Sequence, residues 1–167
     1  GRKGSAKIPW LKKNTSLLNK KEKWQTYAPS PISRYKKWPK PKEMTKNKIK
    51  QVIKNFVSSA KLAFEAGYDG IEIHIAHGYL LHQFFSPISN KRKDEYGVKG
   101  NGFKFQRSIL KSIKKILPKN KIIGARVTGS DHLSNGIKIT DCINLVKKSK
   151  DDGLNYVCVC SGGIIPK

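Results

Sequence analysis

The chain has few acidic residues and few arginines. Its 167 residues include 35 basic and 11 acidic residues, which gives a formal net charge of +24. Only five of the basic residues are arginine, whereas bidentate recognition of phosphates and bases favours arginine over lysine. The lysines are scattered along the whole chain. The sequence therefore predicts no specific nucleic-acid partner, and only non-specific binding to polyanions at low salt.

Long hydrophobic runs and a disulfide framework are also missing. No apolar run approaches the roughly 20 residues of a membrane span, and the first residues, GRKGSAKIPW, lack both an initiating Met and a signal-like apolar stretch. The three cysteines have no spacing typical of disulfides or of a metal site. These absences predict a soluble protein of the reducing cytoplasm with no membrane partner. Cys158 and Cys160 should share one face of a strand as small buried groups.

The chain divides at about residue 45. Residues 1–45 are rich in proline and aromatic residues, which predicts an irregular excursion, with a short hairpin as one option, that serves either as a packed lid or as a substrate contact. The prolines and aromatics are Pro9, Trp10, Trp24, Tyr27, Pro29, Pro31, Tyr35, Trp38, Pro39 and Pro41. The length suits one domain, so residues 46–167 should form its three helix–strand units.

Each helix–strand unit follows from apolar spacing. Thr45 can cap a first helix that Gly67 ends, and a strand follows at 70–74. A second helix over 105–117 stops at Pro118 and precedes a strand at 122–128. Thr140 can cap a third helix, which Gly153 closes before a strand at 156–160.

Alternating helices and strands predict a parallel sheet with helical crossovers, and hence an α/β fold. No glycine-rich phosphate motif of the Rossmann or P-loop type follows a strand. The remaining architecture is a (β/α)8 TIM barrel, whose sites are built from residues at strand ends. His74, Arg126 and Ser161 each fall at such an end.

The stretch from Asp69 to Gly97 carries the candidate site. It places His74, His77 and Tyr79 within six residues, where the strand at 70–74 ends. Ligands of parallel α/β proteins sit at the carboxyl ends of strands, so three groups able to exchange protons there indicate a site.

The same stretch, GYDGIEIHIAHGYLLHQFFSPISNKRKDEYG, resembles the signature of the old yellow enzyme family of NADH:flavin oxidoreductases. The resemblance covers nearly the whole chain, from Gly1-Arg2-Lys3 at the end of the family's third barrel strand, through GARVTGSD, to CVCSGG at the sixth. It implies a partial TIM barrel that contains FMN, takes hydride from NAD(P)H and reduces the activated C=C bond of an enone or nitro compound.

The resemblance also implies roles for single residues. His74 and His77 match the family's pair of donors to the substrate oxygen on which negative charge develops. Tyr79 matches the usual proton donor, and Arg126 matches an arginine beside the flavin. The residues alone leave a second option for Arg126, an ion pair with Glu72.

The chain departs from the family pattern in two ways. Residues 94–103 lack the second Gly, the Ser and the Arg of the usual motif, which weakens the expected anchoring of this loop. A whole barrel takes roughly 250 residues, so the chain should represent a central fragment. Its expected partners are a small enone or nitro substrate and either a complementing chain with the missing strands or a second copy.

Two other classes of function stay open. A metal-dependent hydrolase would use His74, His77 and His82 as zinc ligands. A non-catalytic basic module would use the positive charge alone.

Overall fold

The described part of the chain follows the predicted alternation of helices and strands, except that a short helix not predicted from the sequence, Leu80–Phe85, follows the first strand of the main sheet. The structure is a computed structural model that describes residues 1–4, 21, 23–36, 38–99 and 103–165. Its elements are β1 (Tyr27–Ala28), β2 (Lys42–Glu43), α1 (Lys46–Glu65), β3 (Gly70–Ile75), α2 (Leu80–Phe85), α3 (Lys104–Lys114), β4 (Ile122–Ser130), α4 (Ile139–Lys150) and β5 (Tyr156–Ser161). Pro9 and Trp10 lie outside the described residues. None of the described helices has the length and apolarity needed to cross a membrane.

Helix α1 starts and stops where the sequence predicts. The Thr45 hydroxyl accepts a hydrogen bond from the Lys48 N–H at 3.1 Å, which satisfies one of the free donors of the first turn. The chain leaves the helix at Gly67, which has a φ of +91°. Thr45 as cap and Gly67 as stop are both confirmed.

The predicted cap of α4 is wrong. Thr140 lies inside the first turn of α4, and Lys138 is the residue before the helix. The Asp141 carboxylate accepts the Lys138 N–H at 2.9 Å, so the acid in the first turn supplies the cap interaction. Because of this hydrogen bond, α4 begins one residue before Thr140, at Ile139.

Strands β3, β4 and β5 form one parallel sheet in that order. Alternate side chains of β3 and β4 pack beneath the helices in one apolar core. These strand residues are Ile73, Ile75, Ile123, Ala125 and Val127. The opposite side, here called the open face, carries Glu72, His74, Arg126 and Cys158, and the register pairs His74 with Arg126 and Arg126 with Cys158.

The prediction of two buried strand cysteines is wrong. Cys158 and Cys160 do share one side of β5, but both are only half-buried, because that side points away from the helices. Tyr156 lies on the same side, with its ring over the neighbouring strand. A Cβ at Gly124 would be 2.0 Å from the Tyr156 Cζ, so only glycine leaves room for this ring.

The described part of the excursion before α1 packs through a parallel pair of short strands, β1 and β2, and not through a hairpin; residues 5–20 lie outside the described residues. Arg92 joins it to the loop after α2: its Nη1 donates to the carbonyls of Pro29 at 3.1 Å and Met44 at 2.7 Å. Asp94 accepts two hydrogen bonds from the same guanidinium, at 2.9 and 2.6 Å. Residues 92–94 of this loop are therefore anchored, whereas residues 100–102, which carry part of the departure from the family motif, lie outside the described residues.

Candidate functional site

His74, His77 and Tyr79 come together at the carboxyl end of β3. The ring centroids of His74 and His77 are 5.2 Å apart, and those of His74 and Tyr79 are 5.4 Å apart. His77 and Gly78 have positive φ angles of 55° and 70°, so the chain reverses sharply between the strand and α2. This turn brings the side chains of His77 and Tyr79 back to His74 at the end of β3.

The turn has little room to change. Gly78 packs against the backbone of the segment after β5, where a Cβ on Gly78 would be 2.0 Å from the Gly163 carbonyl oxygen. The His77 N–H donates to the Thr128 hydroxyl at 3.3 Å, which ties the turn to β4. The His77 conformation is unusual for a residue other than glycine, and neighbouring strands hold it in place.

A buried hydrogen-bond network lies directly beneath the turn. The Gly78 N–H donates to His82 Nδ1 at 2.7 Å, and His82 Nε2 lies 3.0 Å from Asp131 Oδ1. Because Nδ1 must accept from Gly78, the proton of a neutral imidazole is on Nε2, which donates to Asp131. The side chains of His82 and Asp131 are both fully buried.

Asp131 ends this network as an ionised acceptor. Its Oδ2 accepts hydrogen bonds from the Ser86 hydroxyl at 2.7 Å and from the Ile137 N–H at 2.9 Å. Burial opposes ionisation, but the bonds from His82, Ile137 and Ser86 outweigh it and hold the pKa of Asp131 below its usual range. His82, Asp131 and Ser86 are called the buried network below.

The sequence gives no role to Asp131 or Ser86. A signal for Asp131 is its position directly after β4, at a strand end where polar residues of an α/β fold gather. No comparable signal marks Ser86, whose partner comes from another element.

The zinc hypothesis requires His82 to converge with His74 and His77, and the structure contradicts it. Both His82 ring nitrogens already have partners, Gly78 and Asp131. In the ranges that the structure describes, no three His, Cys, Asp or Glu side chains form a group able to hold a metal ion.

His74 at the end of β3 and His77 in the turn both have lowered pKa values. Desolvation, followed by the charges of His77 and Arg126, lowers the pKa of His74. Desolvation, followed by Arg126 and Lys3, lowers the pKa of His77. Both rings are therefore mainly neutral near pH 7. Among the described residues, the buried Nε2 of His74 has no hydrogen-bond partner.

Arg126 stands beside His74 on the open face. Its Nε lies 3.4 Å from Glu72 Oε1, so the ion pair left open by the sequence is present. Cys158, followed by Glu72, raises the pKa of Arg126. The Arg126 side chain is still 41% exposed, which leaves it accessible to a ligand on this face.

Lys3, in the N-terminal segment, also lies at the site. No role for Lys3 was predicted from the sequence. Its ammonium lies 4.7 Å from the centroid of the Tyr79 ring and donates to the His77 carbonyl. Lys3 lines a cavity of about 420 Å³ with Phe56, His74, Tyr79 and Leu81.

Parallel β/α units with polar side chains gathered at the strand ends define a segment of a barrel enzyme. The chain belongs to the NADH:flavin oxidoreductase / NADH oxidase family, an FMN-linked family whose model matches residues 14–161. This match confirms the family predicted from the signature between Asp69 and Gly97. FMN and a nicotinamide reductant are the cofactors that this family implies.

Sequence relatives support the same assignment. The chain is 43% identical over 139 residues to an NADPH dehydrogenase of Listeria welshimeri, which covers 83% of this chain and 40% of the relative. It is 43% identical over 141 residues to an NADPH dehydrogenase of Clostridium acetobutylicum, covering 83% of the chain and 41% of the relative. The chain thus spans about 40% of the length of the curated relatives it matches.

Solved structures confirm a partial barrel. A 2-naphthoyl-CoA reductase matches with a TM-score of 0.76 and 24% identity, over 86% of this chain and 22% of that protein. Histamine dehydrogenase from Rhizobium sp. 4-9 matches with a TM-score of 0.75 and 25% identity, over 84% and 21% of the two chains. Morphinone reductase matches with a TM-score of 0.70 and 21% identity, over 81% and 41%.

Proposed function

We propose that the chain forms the central part of a flavin-dependent reductase that adds hydride to the β-carbon of an α,β-unsaturated carbonyl or nitro compound. The observation that supports this proposal is the arrangement at the end of β3: two imidazoles with centroids 5.2 Å apart and a phenol ring 5.4 Å from one of them. Such a substrate requires donors for one oxygen and a proton for one carbon.

The residues of the open face fit a flavin. Arg126 offers a cation that is 41% exposed and forms an ion pair with Glu72 at 3.4 Å. Arg126 is the residue that would contact the cofactor and stabilise negative charge on it. FMN, when bound, would supply the hydride that it takes from NADPH.

His74 and His77 would bind the carbonyl or nitro oxygen of the substrate. Negative charge grows on this oxygen as hydride arrives, and fixed N–H donors stabilise it more than they stabilise the starting carbonyl. Strand β3 carries His74, and the turn that the buried network supports at Gly78 carries His77, so the backbone of both residues is placed before the substrate binds. Little reorganisation is then needed at the moment of reaction.

Tyr79 would deliver a proton to the α-carbon. A phenol keeps its proton at neutral pH, yet it can donate to a strong carbanion-like base. Tyr79 is 51% exposed and lines the same cavity as His74, so its hydroxyl can meet a bound substrate.

A chimaera tests this function. Residues 27–161 would replace the matching segment of the Listeria welshimeri NADPH dehydrogenase, which supplies the rest of a barrel. We expect the purified chimaera to retain FMN, to be reduced by NADPH and to be reoxidised by 2-cyclohexenone. Tyr79→Phe should slow reoxidation by about 10² to 10⁴-fold and leave flavin reduction by NADPH unchanged.

Tyr68→Phe is the matched control, because Tyr68 is 65% exposed and lies outside the cavity. Equal reoxidation rates for the Tyr79 and Tyr68 variants would remove Tyr79 from the mechanism. A chimaera that binds FMN but never passes hydride to 2-cyclohexenone would contradict the proposed substrate class.

The 167-residue chain by itself should retain no FMN through gel filtration, because it spans about 40% of its relatives. A complementing chain, or a second copy, would have to supply further contacts. Flavin absorbance that elutes with the isolated chain would overturn this expectation.

A further inference from the structure

Arg2, Lys3 and Arg34 form a group of cations next to the site, here called the cationic cluster. Arg2 is only 5% exposed, and its Nη2 donates to the Ser33 carbonyl at 2.8 Å. Its backbone N–H donates to Gln83 Oε1 at 3.2 Å, which fixes the cluster to α2. The remaining Arg2 nitrogens, Nε and Nη1, are buried without a partner in the described part of the chain, as is the Nε of Arg34.

Each of the other three arginines forms an ion pair with a carboxylate, although the Arg126 Nε, like the cluster nitrogens, has no hydrogen-bond partner in the described part of the chain. Arg92 pairs with Asp94 at 2.6 Å, Arg107 with Asp152 at 2.5 Å, and Arg126 with Glu72 at 3.4 Å. The ion pairs found among the described residues include none with a member of the cationic cluster. The cluster is thus cationic, partly buried and without a carboxylate in the described ranges.

Burial and mutual repulsion lower the pKa values of the clustered cations. Burial, followed by the charge of Arg34, lowers the pKa of Arg2 to about 10. Burial, followed by Arg34 and Arg2, lowers the pKa of Lys3 to about 8. An anion placed among the three would relieve their repulsion and fill the unused donors, because guanidinium binds carboxylate and phosphate through paired hydrogen bonds.

The cluster adjoins the site at Lys3. This residue lines the same cavity as His74 and Tyr79, and its ammonium lies over the Tyr79 ring. A ligand in the cavity can therefore reach Lys3 with one end and His74 with the other.

We infer that Arg2, Lys3 and Arg34 bind a phosphate or carboxylate group of a ligand that also enters the His74–Tyr79 cavity. The link to that cavity rests on the proposed function. The anion would be a phosphate of the nicotinamide reductant or the carboxylate of an unsaturated acid.

Titration of inorganic pyrophosphate into the full 167-residue chain, followed by calorimetry at physiological ionic strength, tests this inference. The double variant Lys3→Gln/Arg34→Gln should weaken binding by about tenfold or more, because it removes charge-assisted hydrogen bonds. Lys50→Gln/Lys54→Gln removes the same net charge from the exposed side of α1 and should change affinity by less than about twofold, since dispersed surface charge is screened.

Equal losses in both double variants, or no saturable binding to the parent chain, would overturn the inference. Arg34→Lys keeps the charge and should restore part of the affinity, which separates loss of the site from loss of folding. Circular dichroism of each variant gives the matching fold control.

Displacement of pyrophosphate identifies the source of the anion. Displacement by NADH and NADPH would assign a phosphate of the reductant, and stronger displacement by NADPH would assign its additional 2′-phosphate, whereas displacement by crotonate would assign a substrate carboxylate. Displacement by none of these compounds would overturn the link to the cavity. Pyrophosphate binding needs no flavin, so it can succeed even if the proposed hydride transfer fails.

Discussion

His74 and His82 are the same residue type on consecutive elements, β3 and α2, in opposite surroundings. His74 lies on the open face with a nitrogen that has no partner among the described residues. His82 is fully buried, and both of its nitrogens have partners. Free hydrogen-bonding capacity suits His74 to bind a ligand, whereas the satisfied ring of His82 holds the turn above it.

The two regions depend on each other through Gly78. Its N–H donates to His82, and its neighbours His77 and Tyr79 carry the chemistry proposed above. The buried network should therefore control stability and the shape of the turn, while the exposed cluster should control reactivity. Variants that separate stability from reactivity test this division.

The largest effect should come from Asp131→Asn. This change replaces a carboxylate oxygen that accepts from a buried imidazole with a group that cannot serve all the same donors. We expect the free energy of unfolding to fall by about 3–5 kcal/mol, because the three hydrogen bonds to the carboxylate, each worth about 1.5–3 kcal/mol when the acceptor is charged, are lost or weakened. Urea unfolding at pH 7 measures the loss.

Asp69→Asn is the control, because the Asp69 side chain is 95% exposed in its ion pair with Lys121. Its effect should stay below about 1 kcal/mol, as for other surface pairs. Similar losses in the two variants would show that Asp131 does not anchor the turn.

Gly78→Ala should come next, with a loss of about 3 kcal/mol from strain and overpacking. The added Cβ would stand 2.0 Å from the Gly163 oxygen at a φ of +70°. Gly162 has the same φ of +70° but open space around its Cβ position, so Gly162→Ala should lose only about 1 kcal/mol. Thermal or urea unfolding of the pair isolates the contribution of the close contact.

His82→Phe and His74→Phe compare the two histidines directly. His82→Phe leaves the Gly78 N–H and the Asp131 carboxylate with lost partners, which should cost about 2 kcal/mol. His74→Phe removes one hydrogen bond, to the backbone of Ala76, and should change stability by less than about 1 kcal/mol. A larger loss for His74→Phe than for His82→Phe in urea unfolding would reverse the roles assigned to the two rings.

The smallest effects should appear in the pH dependence of stability. The folded-state pKa values of His74 and His77 are lowered, so the unfolded chain takes up protons first as the pH falls below about 6.5. Stability should therefore fall with pH in that window. The lowered pKa of Asp131 stabilises the fold above about pH 4, and this contribution is lost as the pH falls through the folded-state value.

Two sets of variants test which residues cause the loss of stability in each pH window. His74→Phe/His77→Phe should reduce the slope in the upper window only, where the Gly1 amine also contributes because burial lowers its pKa. Asp131→Asn should reduce the lower window, where Asp94 also contributes because Arg92 lowers its pKa. Chemical unfolding between pH 3 and 8 gives both slopes, and an unchanged upper slope in the double histidine variant would contradict the assignment.

The sequence predicts the elements whose patterns are local. α1 has one apolar stripe and a capping threonine, and β3 has β-branched residues after a glycine stop, so both were predictable. α2 was not, because its six residues are mostly buried on every side and show no apolar periodicity. It also contains two polar residues, His82 and Gln83, which are more typical of a loop than of a helix in the core.

The candidate site also has a part that could be predicted from local sequence and a part that could not. His74, His77 and Tyr79 are close in sequence, and their grouping follows from a single turn. The buried network joins α2 to the residue after β4, and the cationic cluster joins residues 2 and 34. These residues come together only when distant segments of the chain pack, so their contacts could not be predicted from their spacing in the sequence.

The absence of a side chain at Gly124 has a consequence for how the sequence can vary among related proteins. The Tyr156 ring occupies the volume that a larger residue on β4 would need. The two positions therefore divide one fixed space between adjacent strands. In sequences related to this chain, we expect a bulkier residue at 124 to occur together with a smaller one at 156, so that the two sites evolve as a single unit.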